Sequence, residues 1–540
     1  NTAGGSAETD LRLQFPLLKD LALSQLDYQA NATLNGMRLP NWVLGLNLSR
    51  GNLQLDVDKE GLDVTGSARL GSMPLRLQWR RNFGDKIPYR ERFLVRGTVQ
   101  QSQLVREIGL NFPPFAGGYL RGSVAANLVV TRQDSGRTAI IGDLDLTESQ
   151  LHNPVFAWNK APGENAHGKF ELILQGGKVR SLNRFSLAGA GLKVEGTASF
   201  NRQGTNITRL NLTELSQGRN NATVTLTPDE GSGWLLEVNG DSFDLSPLRD
   251  DLLAAGGGGG GGVTDPISAT INLQHVWMTP TRGVENVMGT FRYDGQKWIF
   301  GNIEGNLKEG GAILLGLTSK ERERQVRVRS SNAGAALRAL DVYDSISGGS
   351  LALDAVLADA EPDSPLRGKL VLTSFRLLDA PVMARLLSLA ALTGILESLG
   401  GEGLAFNRLE LPFSKAGSTL RISEGQAYGL SLGITASGRI NVASNAVSLT
   451  GTIVPAYAIN SALGRIPLLG TIVTGGETGS GLFAATYSVG GTLSAPEASI
   501  QPLSALAPGF LRNLFNLEEE EEALPAQAPA EPESLRPFDR

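Results

Sequence analysis

Apolar and polar residues alternate with a period of two from one end of the chain to the other, the signature of half-buried β-strands. Leu53-Gln-Leu55-Asp-Val57 and Leu75-Arg-Leu77-Gln-Trp79 show it plainly. A loose unit also recurs, in which the inward position after the alternation is glycine. It reads Leu62-Asp-Val64-Thr-Gly66-Ser-Ala68, then Leu192-Lys-Val194-Glu-Gly196-Thr-Ala198, then Ile434-Thr-Ala436-Ser-Gly438-Arg-Ile440. A second element repeats as Gly168-Lys-Phe170-Glu-Leu172 and Gly289-Thr-Phe291-Arg-Tyr293. The repetition is too irregular for a strict solenoid, but it favours one growing sheet over several unrelated domains.

Helical signals are few. Gln103–Gly109 predicts one or two turns and Ala335–Leu340 another short piece. Pro381–Leu399 predicts one long helix, with Asp379 as its cap, Pro381 in its first turn and Gly400-Gly401 as its stop. This block is too apolar for an ordinary surface helix and too short for a membrane span. Arg385 and Ser388 mark its one narrow polar stripe. Leu386, Leu387, Leu389, Ile395 and Leu396 are its candidate groove-end residues. Such a helix either plugs the end of a sheet as core or closes and gates a groove, and it is expected to dock at the C-terminal end of the sheet.

An antiparallel sheet with one apolar face must cover it with a second sheet, with helices or with a ligand. With helices scarce, two architectures remain: stacked β-sandwiches, or a long sheet curled into a trough that holds lipid tails. A ~16-carbon acyl chain loses about 0.8 kcal/mol per CH₂ on exposure to water, so on the order of 12 kcal/mol opposes its bare passage through an aqueous space. A continuous apolar groove removes most of that barrier without chemistry, and inward glycines let such a sheet bend. The candidate groove residues, assigned by alternation alone, are Leu53, Leu55, Val57, Leu62, Val64, Leu75, Leu77, Phe170, Leu172, Leu192, Val194, Leu430, Leu432 and Ile434.

Composition agrees with a bent sheet: 66 glycines are about 12 % of the chain, against a usual ~7 %. The absence of cysteine excludes disulfides, thiolate metal sites and cysteine nucleophiles. A net charge of -5 gives no electrostatic reason to expect nucleic acid. Gly429-Leu-Ser431-Leu-Gly433 matches a nucleophile elbow, but its serine reads as part of an alternating strand. All three histidines (His152, His167 and His275) precede it. Gly479-Ser-Gly481-Leu-Phe-Ala484 mimics a dinucleotide fingerprint but runs into the alternation Phe483–Val489, a strand. The histidines lack metal-ligand spacing. A non-enzymatic protein without cofactor or metal is expected. Ile453–Val473 is apolar, yet Pro455, Asn460, Arg465 and Pro467 do not suit a lipid-exposed helix.

The C-terminal residues resemble the AsmA-like family, in particular its YhdP-type members of Gram-negative bacteria. The resemblance rests on Asp379-Ala-Pro-Val-Met-Ala-Arg-Leu-Leu-Ser-Leu-Ala, Gly394-Ile-Leu, Gly401-Glu-Gly-Leu-Ala-Phe406 and Gly451-Thr-Ile-Val-Pro455-Ala-Tyr-Ala-Ile-Asn460. It continues through Ile466-Pro-Leu-Leu-Gly470, Gly475-Gly-Glu-Thr-Gly-Ser-Gly-Leu-Phe483 and Pro502-Leu-Ser-Ala-Leu-Ala-Pro-Gly-Phe-Leu-Arg512. Upstream, Trp158-Asn-Lys-Ala-Pro-Gly163 and Gly191-Leu-Lys-Val194 are more weakly similar to the central region of the same proteins. The resemblance implies a periplasmic protein tethered to the inner membrane by an N-terminal helix that this sequence does not contain. It implies an elongated β-groove that conducts phospholipid toward the outer membrane, and it favours the trough over the sandwiches.

The fold expected is therefore mostly β: an elongated, curled antiparallel sheet forming a hydrophobic groove, with a few short helices and one apolar helix near its C-terminal end. Residues 1–255 would form a first groove segment, 256–262 a polyglycine linker or replaced segment, and 263–370 the continuation. Residues 371–516 would form the AsmA-like region, and 517–540, with Glu518–Glu522, a disordered tail. The expected partners are phospholipid, the two membranes and envelope proteins. The alternative function is an assembly factor for outer-membrane proteins or envelope integrity that works through its β-edges.

Overall fold

The computed structural model describes residues 3–504 except 17–25, 44, 85–86, 109–116, 154–157, 230–232, 248–264, 321, 360–364, 391, 456–482 and 494. The run Gly256–Gly262, the Gly479-Ser-Gly481 motif and the acidic tail lie outside the described residues. The described residues are mostly β, with 29 strands among them, β1 to β29 in chain order, and only short helices. It divides into two compact units. The first comprises Asn1–Asp344 and Leu351–Leu366, and the second Ser345–Ser350 and Arg367–Arg540.

The first unit is a curled, unclosed meander. It begins with β1 (Gly4–Gln14), β2 (Asp27–Val43), β3 (Leu46–Val57), β4 (Gly61–Leu70), β5 (Met73–Asn82) and β6 (Glu91–Gln100). A turn at Gln101–Gln103 running into a π turn at Leu104–Ile108 leads to β7 (Leu120–Arg132) and β8 (Arg137–Asp145). The hairpin of β9 (Ser149–Asn153) and β10 (Trp158–Lys160) then leaves the main ladder and pairs with the start of β7. The ladder resumes when β11 (Ala166–Gln175) pairs with β8, followed by β12 (Lys178–Gly189), β13 (Leu192–Phe200), β14 (Ile207–Gln217) and β15 (Asn220–Pro228). It continues through β16 (Trp234–Asp244), β17 (Ile267–Trp277), β18 (Gly283–Tyr293) and β19 (Trp298–Asn306). Its last members are β20 (Ala312–Lys320), β21 (Glu323–Ser330) and β22 (Ile346–Ala358). Ahead of β22 comes α1 (Ala333–Ala339), whose N-terminus is capped by the Asn332 side chain accepting from the Ala335 amide at 3.1 Å.

Period-two patterning could not reveal one pairing. β16 and β17 are parallel neighbours, from Trp234 opposite Ile267 to Asp244 opposite Trp277. Parallel neighbours need a crossover of a dozen or more residues, and residues 245–266, which include the glycine run, supply that length.

Curvature shows directly at the first strands. β2 and β6 are about 19 Å apart along the sheet at ~4.8 Å per strand. Yet Trp42 of β2 meets Phe93 of β6 edge-on, with ring centroids 6.4 Å apart. Phe93 is also stacked on Trp79, at 5.6 Å.

The recurring glycines explain how the strands approach so closely. Gly66 and Gly438 sit at φ 151° and 147°. A Cβ built on either would lie 2.1 Å from the carbonyl oxygen of a neighbouring strand, that of Asn52 or Ser448.

The second unit carries β24 (Leu404–Ala416), β25 (Thr419–Gly429), β26 (Leu432–Asn441), β27 (Ala446–Pro455), β28 (Phe483–Gly491) and β29 (Pro496–Ser504), each antiparallel to the next. The expected single helix over Pro381–Leu399 is instead two, α2 (Pro381–Leu389) and α3 (Thr393–Gly400). The break has a local cause. Leu392 leaves helical geometry at ψ 59°, and the next residues, β-branched Thr393 and Gly394, are poor helix formers. Asp379 does not cap α2. The cap position is Ala380, without a side-chain hydrogen bond, while Asp379 turns to φ 38°. Pro381 opens α2 and Gly401 ends α3, as the sequence implies. Among the described residues no helix is long and apolar enough to cross a membrane.

Two outcomes are expected in unfolding experiments. Gly66→Ala and Gly438→Ala should each destabilise the chain by more than about 1 kcal/mol in urea titrations, because Ala meets both a positive φ and a carbonyl. The second concerns Asp359, which accepts from buried Arg324 at 2.9 Å and pairs with Lys297. Burial pushes its pKa up, but the hydrogen bonds from Lys297 and Arg324 outweigh burial and hold it below the ordinary carboxylate value. Its stabilisation is therefore present above the unfolded pKa of about 3.9 and is lost as pH falls through the lower folded value. Asp359→Asn should lose about 3–5 kcal/mol at neutral pH by stranding Arg324, and should flatten the acid limb of the stability curve.

Candidate functional site

Strand register in the first unit assembles two apolar rows on one face. The first begins Leu55–Val64–Trp79–Phe93–Val130–Ile140, each residue directly opposite the next on the neighbouring strand. It continues Leu172–Leu182–Ala198–Leu210–Leu226–Leu236. It ends Ala269–Phe291–Gly301–Leu317–Val326–Ala355 on β22.

The second row runs beside it as Leu53–Gly66–Leu77–Val95–Leu128–Gly142, then Phe170–Phe185–Gly196–Leu212–Val224–Val238. It ends Ile271–Gly289–Ile303–Leu315–Val328–Leu353. Neither row contains a charge. The one hydrogen-bonding side chain is Trp79, whose indole nitrogen is buried without an acceptor among the described residues.

The other face is polar in the same register, as in Gln54–Thr65–Gln78 and Asp143–Lys169–Ser186–Glu195–Glu214. The apolar face is also the concave one, since Trp42 and Phe93 meet across it.

All the candidates of the first unit lie on this face: Leu53, Leu55, Val57, Leu62, Val64, Leu75, Leu77, Phe170, Leu172, Leu192 and Val194. They are not equally accessible. Leu53, Val64 and Leu77 are buried within the tight curl, at 5, 3 and 2 % exposure. Leu172 and Val194 are half-buried, as are Leu212, Val238, Ile271 and Ile303, which the sequence reading did not single out. Phe170 lies over Gly142, where a Cβ would stand 2.1 Å from its ring. This packing explains why an aromatic residue and an inward glycine recur together.

Leu192 has a different role. It packs against a cluster of Leu120, Val124, Leu146, Leu151, Trp158 and Ala166, in which the β9–β10 hairpin covers one end of the apolar rows. Lys160 holds this hairpin from within. Its ammonium is fully buried and donates to the carbonyls of Thr147, Ser149 and Ala161 at 2.9, 2.8 and 3.0 Å. Burial pushes its pKa down. Trp158 donates from its indole to the Ala190 carbonyl at 3.0 Å. The sequence signal for this element was only a tryptophan and a lysine two residues apart in a short strand.

In the second unit Ala427–Ile434–Ile453–Ala485 and Ile422–Gly438–Leu449–Val489–Ala498 form equivalent rows. Leu432 is buried and Ile434 half-buried on that face. Leu430 is not on it. It is 72 % exposed in the turn between β25 and β26, beyond the reach of the alternation used to assign it. Ser431 occupies the same strand-to-strand turn, so it is neither inside a strand, as expected, nor on the strand-to-helix elbow that a nucleophile requires.

Tyr487 reaches over Gly451 to donate to the Thr435 carbonyl at 2.6 Å, and burial pushes its hydroxyl pKa up, keeping the donor protonated. The helix pair closes this sheet's seam: α2 packs on β29 and α3, and α3 packs on β24. Leu386 and Leu387 are buried there, Ile395 and Leu396 half-buried, and Leu389 points outward at 51 % exposure.

Comparison with models of known protein families, with characterised proteins and with solved structures finds no match.

Removing the Lys160 donor should open the hairpin and leave the sheet intact. Lys160→Met strands buried carbonyls, each worth about 1–3 kcal/mol. Hydrogen exchange at residues 149–160 should accelerate at least roughly tenfold, while the β4 and β5 amides keep their protection.

Proposed function

We propose that the chain carries phospholipid across an aqueous compartment along its apolar groove, as a non-enzymatic conduit between membranes. The observation that carries this reading is the uninterrupted registration of two uncharged rows from β3 to β22. Measured along the sheet, the rows extend on the order of 80 Å at 4.8 Å per strand, long enough for several acyl chains in succession. Such a surface lowers the aqueous barrier of a lipid tail by keeping most of its CH₂ groups against protein. Because the sheet is unclosed, a headgroup can stay in water while the tail lies in the trough. The resemblance of residues 379–512 to AsmA-like proteins supports the same reading and suggests the periplasm as the compartment and the outer membrane as the destination.

A second reading, strand addition for envelope assembly, has one observation in its favour. Among the described residues β1 pairs only with β2, leaving its other edge free.

Purified full-length chain should yield phospholipid on extraction and should speed transfer of a fluorescent phospholipid between vesicles. Val238→Asp and Ile271→Asp occupy half-buried groove positions opposite each other and should reduce transfer at least roughly tenfold with the circular dichroism spectrum unchanged. A lipid-free preparation that transfers nothing refutes the conduit. Loss of function on blocking only the β1 edge would favour strand addition.

A further inference from the structure

The outer face of β5 to β8 combines an outward apolar row with opposed arginines. Leu94, Val129 and Ile141 stand directly opposite one another across β6, β7 and β8, with Ile141 53 % exposed. On the same face β5 and β6 set Arg76 opposite Arg96 and Arg80 opposite Arg92. Like charges directly opposite destabilise a ladder, and only Arg80 is compensated, by Asp63. Arg76, Arg92 and Arg96 are exposed and make no ion pair among the described residues. Every basic residue on β4 to β7 is arginine.

We propose that this patch is a protein-docking surface for a segment that presents apolar side chains flanked by carboxylates. Three arguments select that partner. The charge is complementary to carboxylates, which would relieve both arginine pairs. An apolar row bordered by arginines, here on its β5–β6 side, is a composition that protein interfaces favour. A guanidinium fork suits bidentate carboxylate pairing, whereas attraction to a lipid surface would be served equally by lysine. The proposal uses the face opposite the groove and stands independently of the conduit reading.

The test measures binding of full-length chain to a synthetic peptide of alternating Leu and Glu, with Leu/Lys and Ser/Glu peptides as controls and phosphatidylglycerol vesicles as a competing surface. The Leu/Glu peptide alone should bind, more weakly at high salt. Binding should fall at least roughly tenfold in Arg92→Glu/Arg96→Glu and in Ile141→Ser. Thr290→Glu, elsewhere on the outer face, and Val238→Asp, in the groove, should leave it unchanged. Ile141→Ser alters an exposed side chain, so it keeps the test valid if the double charge reversal fails to fold. Binding to vesicles but not to peptide, equal binding of the Leu/Lys peptide, loss only in the groove variant, or no binding at all would each overturn the proposal.

Discussion

Everything in this molecule depends on the sheet holding one register through strand after strand. A slip of one residue between two neighbours would turn the whole apolar set of one strand to the solvent face. In the first unit no such slip accumulates. Bulges interrupt the ladders, for example between Ser49 and Asn52 and between Glu195 and Gly196, yet the same face returns on the far side of each. Leu55 and Ala355 therefore belong to a single row although they lie on β3 and β22.

Glycine gives that row its shape. Along the second row it recurs at Gly66, Gly142, Gly196 and Gly289, and at the first three a side chain would strike a neighbouring ring or carbonyl. The floor of the trough is thus lined alternately by large apolar groups and by bare backbone, which lets aromatic rings such as Phe170 lie flat and lets the strands curl. Closure is handled locally. The Trp42–Phe93–Trp79 cluster narrows the first strands, and the β9–β10 hairpin, held by Lys160, covers one end of the rows. In the second unit the α2–α3 pair fills the seam between β24 and β29. An unclosed sheet thereby buries much of its apolar surface while leaving a half-buried apolar path along the rows.

The two faces divide the chemistry. Charged ladders such as Asp143 with Lys169 and Arg329 with Asp354 line the convex side, while Arg81–Glu91–Arg132 and the buried Arg324–Asp359 pair sit on the concave side near strand ends. The concave side presents an apolar surface and, at Trp79, a buried indole nitrogen without an acceptor among the described residues. Where arginines stand opposite arginines and Leu94 stands outward, on β5 and β6, the convex side departs from simple solvation.

The period of two by itself determined that this chain is strand-rich, and it set Leu53, Val64, Phe170 and Val194 on a common face, because side-chain alternation is a local property of extended backbone. It also located α1 and the breaker glycines of α3. It failed at local turns and breaks that alternation and apolarity run straight through, and where the deciding interaction is not local. Leu430 continues an alternation in sequence but lies in a turn, and Pro381–Leu399 reads as one helix until Leu392 leaves helical geometry. The parallel pairing of β16 with β17 has no periodic signature, since it depends on which strand end the chain returns to. The contact of Trp42 with Phe93, the buried ammonium of Lys160 and the arginine pairs on the outer face arise only when strands distant in sequence become neighbours. Sequence determined which residues face the same way along each strand; tertiary structure decided which strands lie side by side and how far the sheet bends, because register and curvature are set by contacts between segments that no local pattern encodes.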